Sequence, residues 1–563
     1  MDNNQIKTRW YKDSVIYQIY PRSFADSNND GIGDLKGITQ KLDYVKSLGV
    51  DAIWLSPVYK SPNFDNGYDI SDYYQINEEF GTMEDFEEFS RECKKREIKI
   101  IMDLVANHTS NEHQWFTESK KGKDNPFSDF YIWKKGKGKN GKKPPNNWSS
   151  RFSGPAWTYD ENRKEWYLHL FTKQQPDLNW ENPKVREEIV KICEFWFDKG
   201  VDGFRCDVLT YIAKDQSYED GKYKIGLKGT EKFAMYGPWH EYVKELNDKS
   251  WKNHNSMIVA EGQDATFTEV KKATDENNGE IDTFFSFEHL TADTFFDYLP
   301  KKLDLVKFKK IINKCQQLQK ENWNTIFLEN HDLLRSVSRY IKGSEYYNIG
   351  AKMLCVFMMF QKGTPYVYQG QELGMTNCHF DYNEFRDGMA FQMFDTVKSV
   401  SKLLIPLAVK IMNIRGRDNA RVPMQWDNTQ NAGFNNEGSP TWIKVNPNKD
   451  FINVKMEESD KDSVLNFYKR VINFRKGNEI IKNGTYRDLD PKNKKLVIYE
   501  RELNNEGYVV ICNFSNKTIN YRFKNFEYKS TNLEFYNIEN TQKSLSKKIK
   551  ILPYQTMVYC IKK

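Results

Sequence analysis

Several common functional signatures are missing from this 563-residue chain, and each absence removes a class of protein. No run of 18 or more apolar residues occurs, so no membrane-spanning helix is expected. The N-terminal stretch MDNNQIKTRWYKD has no apolar core, so no secretion signal is expected. The eight cysteines (93, 193, 206, 315, 355, 378, 512 and 560) are scattered, with no CxxC and no Cys/His cluster. They read as reduced core thiols, and a cytoplasmic location is the default expectation. GxGxxG is absent, which counts against an open nucleotide-binding sheet. Charge of one sign is lacking too. The 84 Lys and Arg against 78 Asp and Glu leave +6, no global bias towards nucleic acid or a membrane. One basic run, KKGKGKNGKKPP (134–145), is broken by Gly and Pro and reads as a solvated loop tip.

Aromatic residues, by contrast, are plentiful. Phe, Trp and Tyr make up 15% of the chain. Much of that is core, but aromatic faces also stack on the apolar faces of sugars, so a carbohydrate ligand is consistent with the composition. The length calls for two or three domains, one of them able to be a large barrel.

Eight strand-like runs recur, each bounded by turn signals: SVIYQIYPRSF (14–24), AIWLSPVY (52–59), IKIIMDLVANH (98–108), VDGFRCDVL (201–209), MIVAEGQD (257–264), DTFFSFEH (282–289), NTIFLENHD (324–332) and PYVYQGQEL (365–373). Helix-like stretches lie between them, such as 83–98 and 182–200. In the second, Asn182 can cap, Pro183 suits the first turn and Gly200 can terminate. The alternation predicts an α/β fold, a parallel (β/α)8 TIM barrel over 1–108 and 181–484. Residues 109–180 are polar and rich in Trp, Pro and Gly, too long for a loop, and read as an inserted subdomain after strand 3. From 485 short alternating runs take over, predicting a C-terminal antiparallel β domain over 485–563.

In such a barrel the chemistry sits at the C-terminal strand ends, here DLVANH, GFRCD, VAEG and FLENHD. Each closes an apolar strand with charged or imidazole groups, which a chain driven only by burial avoids. The set is Asp103, Asp207, Glu261 and Asp332 with His108, His331 and Arg205. Three acids and two His suit a transition metal, although the His are not a local ligand pair and no Cys joins them. The other option is acid–base chemistry on a glycosidic bond, which needs one ionised and one proton-donating carboxyl. Arg205 shares a strand face with Asp207 and suits an ionised nucleophile there. Glu261 has no basic neighbour in sequence, which makes it the candidate proton donor.

A separate signal is DSNNDGIGD (26–34), with oxygen side chains at Asp26, Asn28, Asp30 and Asp34. An EF-hand is excluded, because position twelve is Gly37 and no helix precedes the loop. A single ion site after a strand is favoured over an Asx-rich turn.

The four strand-end segments, in this order and spacing, resemble the signature regions of glycoside hydrolase family 13, the α-amylase family, over essentially the whole chain. The resemblance implies Asp207 as nucleophile, Glu261 as general acid/base and Asp332 as a third carboxylate that binds sugar hydroxyls. It implies His108 and His331 as ligands of the terminal glucose, with Arg205 supporting Asp207. QPDLNW (175–180), NGYDISDY (66–73) and RDNARVPMQW (417–426) resemble the oligo-1,6-glucosidase and α-glucosidase subgroup. There Tyr68 would stack on the non-reducing glucose, Asp69 would hold its 4- and 6-hydroxyl end, and Arg417 would reach the same ring. Val208, after the nucleophile, goes with α-1,6 preference. The subgroup also implies a structural cation on Asp26, Asn28, Asp30, the Ile32 carbonyl and Asp34, Ca²⁺ on ligand count, with Mg²⁺ the alternative.

Three positions depart from the pattern. Leu333-Leu334-Arg335 replaces Gln-Pro-Arg, EGQD (261–264) is unusual after the acid, and no RLDRD-like segment follows FSFEH (285–289), against a sucrose isomerase. The expected activity is a retaining exo-α-glucosidase on isomaltose and short isomalto-oligosaccharides. Trehalose-6-phosphate hydrolysis is the runner-up, then an α-1,4-glucosidase or sucrose hydrolase. A monomer or weak homodimer with no nucleic-acid or membrane partner is expected. The transporter heavy chains that share the fold carry a membrane helix and have lost catalytic acids, unlike this chain.

Overall fold

All eight strand-like runs contain a strand in the computed structural model, which describes residues 9–152, 154–222, 227–295, 299–318 and 322–563. Residues 1–8 of the stretch read for a leader lie outside the described residues. The chain divides into two compact units.

The first unit is Trp54–Ser286 with Arg9. Its parallel strands are Lys99–Val105, Gly203–Asp207, Met257–Glu261 and Thr283–Phe285. They are buried almost throughout, as expected of strands covered on both faces. Gly203 is required by close approach, since a Cβ there would lie 2.1 Å from the carbonyl of Met257. Two helices support these strands. Met83–Lys95 starts with a capping box between Thr82 and Asp85. Pro183–Asp198 is capped by Asn182, and Gly200, with φ of 91°, turns the chain out of it. Within 109–180 lies a three-stranded antiparallel sheet of Trp133–Lys134, Glu165–Leu168 and Trp157–Asp160. Its core is shared: Trp148, Trp157, Leu168 and Leu170 pack with Val208, Tyr211, Tyr218 and Phe233 from the segment after Asp207. The inserted residues are therefore built onto the chain that follows the predicted nucleophile.

The second unit is Trp10–Ile53 and Phe287–Lys563. It carries the parallel strands Ile16–Ile19, Thr364–Tyr368 and Thr325–Ile326. Pairing in NTIFLENHD stops at Ile326, so Glu329, His331 and Asp332 stand on the turn beyond it. The C-terminal residues form an antiparallel sheet in the order Thr485–Asp488, Leu496–Leu503, Glu506–Asn513, Thr556–Lys562, Ser530–Tyr536. A two-stranded ribbon of Ile519–Arg522 and Lys548–Ile551 adds its apolar face to the same core. Among the described residues no helix is long and apolar enough to cross a membrane.

Candidate active site

In the first unit Val259 is the register partner of Arg205 on the adjacent parallel strand. Two residues on, Asp207 and Glu261 therefore stand at the same level, at the carboxyl ends of their strands. Arg205, only 2% exposed, ties them together. Its Nη1 donates to Asp207 Oδ1 at 2.7 Å and its Nη2 lies 2.8 Å from Glu261 Oε2. Nη1 also donates to Asp103, the register partner of Arg205 on the other side. Burial works against the guanidinium charge, but Asp103, Glu261, Tyr68 and Asp207 outweigh it and hold the Arg205 pKa well above its ordinary value.

Glu261 has no basic neighbour in sequence, but it has one in space, Arg205 on the adjacent strand. What distinguishes the two carboxyls is their other partners. Glu261 accepts from the backbone N–H of Val208 at 3.1 Å and from the Gln263 amide at 3.3 Å. Val208 sits in the left-handed region (φ 36°, ψ 36°), where a β-branched residue is an outlier, and that conformation aims its N–H at Glu261.

Asp103 is also held by the Trp54 indole at 2.9 Å and approached by the Tyr68 hydroxyl at 3.5 Å. The Tyr68 ring lies 5.7 Å from the Arg205 guanidinium. Asp69 is wholly buried. It accepts from the Ser61 hydroxyl and the N–H groups of Phe64 and Asp65, and burial pushes its pKa up to about 6. Burial holds the His108 imidazole near a pKa of about 4, hence neutral at pH 7. Its Nδ1 lies 3.1 Å from the Asn107 amide nitrogen, and its Nε2 lies 3.2 Å from both the Tyr68 carbonyl and the Gln175 amide nitrogen. Asn107 is fixed in turn by Lys214 at 2.8 Å, and Lys214 by Asp177 at 2.8 Å.

The second unit carries a separate cationic cluster around Asp332. Arg421 and Arg417 donate to its Oδ1 at 2.7 and 3.2 Å, and His331 Nε2 lies 3.1 Å from Oδ2. Burial opposes the Asp332 charge, yet His331, Arg417 and Arg421 hold its pKa well below the usual carboxylate range. Arg417 is fixed by a two-pronged ion pair with buried Asp387, and the Gln18 amide reaches His331 Nδ1 at 2.8 Å. Asp387 and Lys214 carry no local pattern in the sequence, whereas Asn107 and Gln18 lay inside the quoted DLVANH and SVIYQIYPRSF without being assigned a role. Arg421 lay inside the quoted RDNARVPMQW.

The loop Asp26–Asp34 closes through its own hydrogen bonds. Asp26 accepts the N–H groups of Asn28, Asn29 and Gly31 and the Asn435 amide. Asp34 binds Ser27 and caps the helix Leu35–Gln40 through the Gly37 N–H. Asn28 and Asp30 are exposed and bond to each other at 3.0 Å. Among the described residues no group of three or more His, Cys, Asp or Glu side chains is set to hold a metal. The donor chemistry, five hard oxygens, fits a divalent cation, while the side chains as placed are turned to backbone donors.

The alpha-amylase catalytic-domain model matches residues 18–484. An oligo-1,6-glucosidase from Parageobacillus thermoglucosidasius is 47% identical, covering 98% of this chain and 99% of its own. A crystal structure of a Bacillus licheniformis trehalose-6-phosphate hydrolase mutant superposes with a TM-score of 0.94 at 40% identity, over 98% of this chain and 100% of that one. The isomaltulose synthase of Klebsiella sp. LX3 gives a TM-score of 0.94 at 39% identity, over 98% and 99%.

Proposed function

Since the chain belongs to the alpha-amylase family of glycoside hydrolases, with its (β/α)8 barrel, we propose that it is a retaining exo-acting α-glucosidase that removes terminal α-1,6-linked glucose from isomaltose and short isomalto-oligosaccharides. The observation that carries the mechanism is the pair of carboxyls at one level of adjacent strands, bridged by Arg205. Asp207 attacks C1 while Glu261 gives its proton to the leaving oxygen, and the C1–O bond breaks. Glu261, now a carboxylate, takes a proton from the water that attacks C1, which releases α-glucose and frees Asp207. A sugar hydroxyl in place of water gives transglucosylation.

Asp332 is the third carboxylate in this reading. Its ionised state, enforced by Arg417 and Arg421, suits acceptance from two sugar hydroxyls. The family likeness implies Tyr68, Asp69 and His108 of the first unit, and His331 and Arg417 of the second, as glucose-binding residues, and the neutral imidazole of His108 suits hydrogen bonding over charge. We also propose a barrel over 1–108 and 181–484, an inserted subdomain over 109–180, a C-terminal β domain over 485–563, a structural Ca²⁺ (or Mg²⁺) on Asp26, Asn28, Asp30, Ile32 and Asp34, a cytoplasmic location, and a monomer or weak homodimer without nucleic-acid or membrane partners.

Trehalose-6-phosphate hydrolysis needs a free cation for the phosphate. Arg335, the cation after NHD, is unsuited: it is wholly buried, paired with Glu329 at 3.1 Å and donating to the Gln369 and Ala420 carbonyls. The test is glucose release from isomaltose, maltose, sucrose, trehalose and trehalose-6-phosphate. Isomaltose well ahead is expected, and trehalose-6-phosphate ahead overturns the assignment. Asp207→Asn is expected to abolish turnover with the fold intact.

A further inference from the structure

The unusual EGQD stretch places Asp264 three residues after Glu261, at a junction of three segments. The turn that delivers it is tight. Gly262 N–H bonds the Phe285 carbonyl at 3.0 Å, a Cβ at 262 would lie 2.7 Å from that same oxygen, and Ala265 N–H closes back on the Gly262 carbonyl. Asp264 itself is in the left-handed region with φ of 55°. Its Oδ2 accepts from the Tyr211 hydroxyl and from Arg151 Nη1 at 2.8 Å. Tyr211 belongs to the turn after Asp207, and its N–H bonds the Val208 carbonyl at 2.9 Å. Arg151 comes from the inserted residues, where its N–H bonds the Leu170 carbonyl at 2.7 Å, and its guanidinium lies 5.9 Å from the Tyr211 ring.

We propose that Asp264 is a positioning residue that clasps the loop of the acid/base to the loop of the nucleophile and to the inserted segment, fixing the proton-donating carboxyl of Glu261 relative to Asp207. The inference rests on the glycosidase reading above. Two bonds then join the segments after the two acids: Val208 N–H to Glu261, and Tyr211 hydroxyl to Asp264. Removing the second leaves the loop after Glu261 joined to the nucleophile's loop only through the Glu261 carboxyl, so that the backbone carrying this carboxyl shifts relative to the leaving oxygen while its bonds to Arg205, Val208 and Gln263 remain. The Asp264 carboxylate is about a third exposed, and one oxygen takes both the Tyr211 hydroxyl and Arg151.

Leaving groups with different need of a proton separate this role from a structural one. Isomaltose departs as a poor alkoxide and depends on Glu261, whereas p-nitrophenyl α-glucoside departs as a stabilised phenolate. Asp264→Ala and Tyr211→Phe are expected to lower kcat/KM for isomaltose about 10-fold or more, and for the aryl glucoside much less, because a misplaced general acid forfeits part of a contribution on the order of 10²–10⁴-fold. Arg151→Gln is expected to shift the ratio the same way, and all three are expected to melt like the parent. Equal losses on the two substrates, or no loss, overturn the clasp. A parent protein that cleaves neither substrate overturns instead the glycosidase reading, and the clasp with it.

Discussion

Arg205 gives one guanidinium nitrogen to Asp207 and the other to Glu261, at 2.7 and 2.8 Å. A single planar cation thereby bridges two carboxyls whose common level the strand register sets, and Asp103 on the other neighbouring strand also accepts from its Nη1. Lysine has one compact ammonium and cannot span the pair. Arg205→Lys is expected to lower kcat roughly 10²-fold or more with a smaller change in KM, as loss of a preorganised charge does. Steady-state kinetics on isomaltose check it, and near-parental kcat would remove Arg205 from the machinery.

Much of this was legible in the sequence, for a physical reason. Asp103, Asp207 and Glu261 end or interrupt apolar strands, where desolvation penalises a charge, so their presence there signals chemistry. The division of roles was not legible from neighbours in sequence. Arg205 meets Glu261 only through the parallel register of Val259 with Arg205, which is a tertiary fact. The same holds for the inserted segment: its length marked it as a unit, but its core includes Tyr211, Tyr218 and Phe233 from beyond residue 180. Asp387 was invisible because its meaning comes only from holding Arg417 and lying against Arg421.

The loop Asp26–Asp34 makes a testable case for metal-linked stability. All four side chains accept N–H donors in this structure, but those of Asn28 and Asp30 are exposed, so an ion that replaces these donors displaces surface bonds there and buried ones at Asp26 and Asp34. Calcium is expected to raise the melting temperature of chelator-treated protein, by mass action on the folded state, with little change in kcat. Asp30→Ala is expected to abolish the increment. Calorimetric titration that shows no calcium binding, with melting curves indifferent to chelator, would sink the proposed cation.

Val208 combines three properties: strained backbone, burial among aromatic side chains of the inserted residues, and an N–H on Glu261. The family likeness ties this position to linkage preference. Val208→Thr keeps the branched shape and Val208→Ala removes it. Both are expected to raise the ratio of α-1,4 to α-1,6 activity, measured as kcat/KM for maltose over isomaltose. An unchanged ratio in both variants would reduce Val208 to core packing.

The last prediction concerns alkaline stability and lies outside the site. Glu457 is buried, its Oε2 accepts the Leu465 N–H at 2.9 Å, and burial pushes its pKa up to about 8. Buried Glu372, whose Oε1 takes the hydroxyls of Tyr17 and Tyr44, adds like-charge repulsion. The raised pKa means that the folded chain holds a proton that the unfolded chain has already released. Between the ordinary carboxyl value and about 8 the folded state binds more protons, so stability falls as pH rises through that window and levels off above it. Glu457→Gln keeps the shape without the proton to lose. It is expected to narrow the drop in melting temperature between pH 6 and pH 9 by a few degrees, with stability regained on the order of 1–3 kcal/mol at the alkaline end. Isomaltose turnover at pH 7 is expected to stay unchanged. Parallel melting curves for parent and variant across that range would mean that Glu457 ionises without cost and that another group governs the alkaline limb.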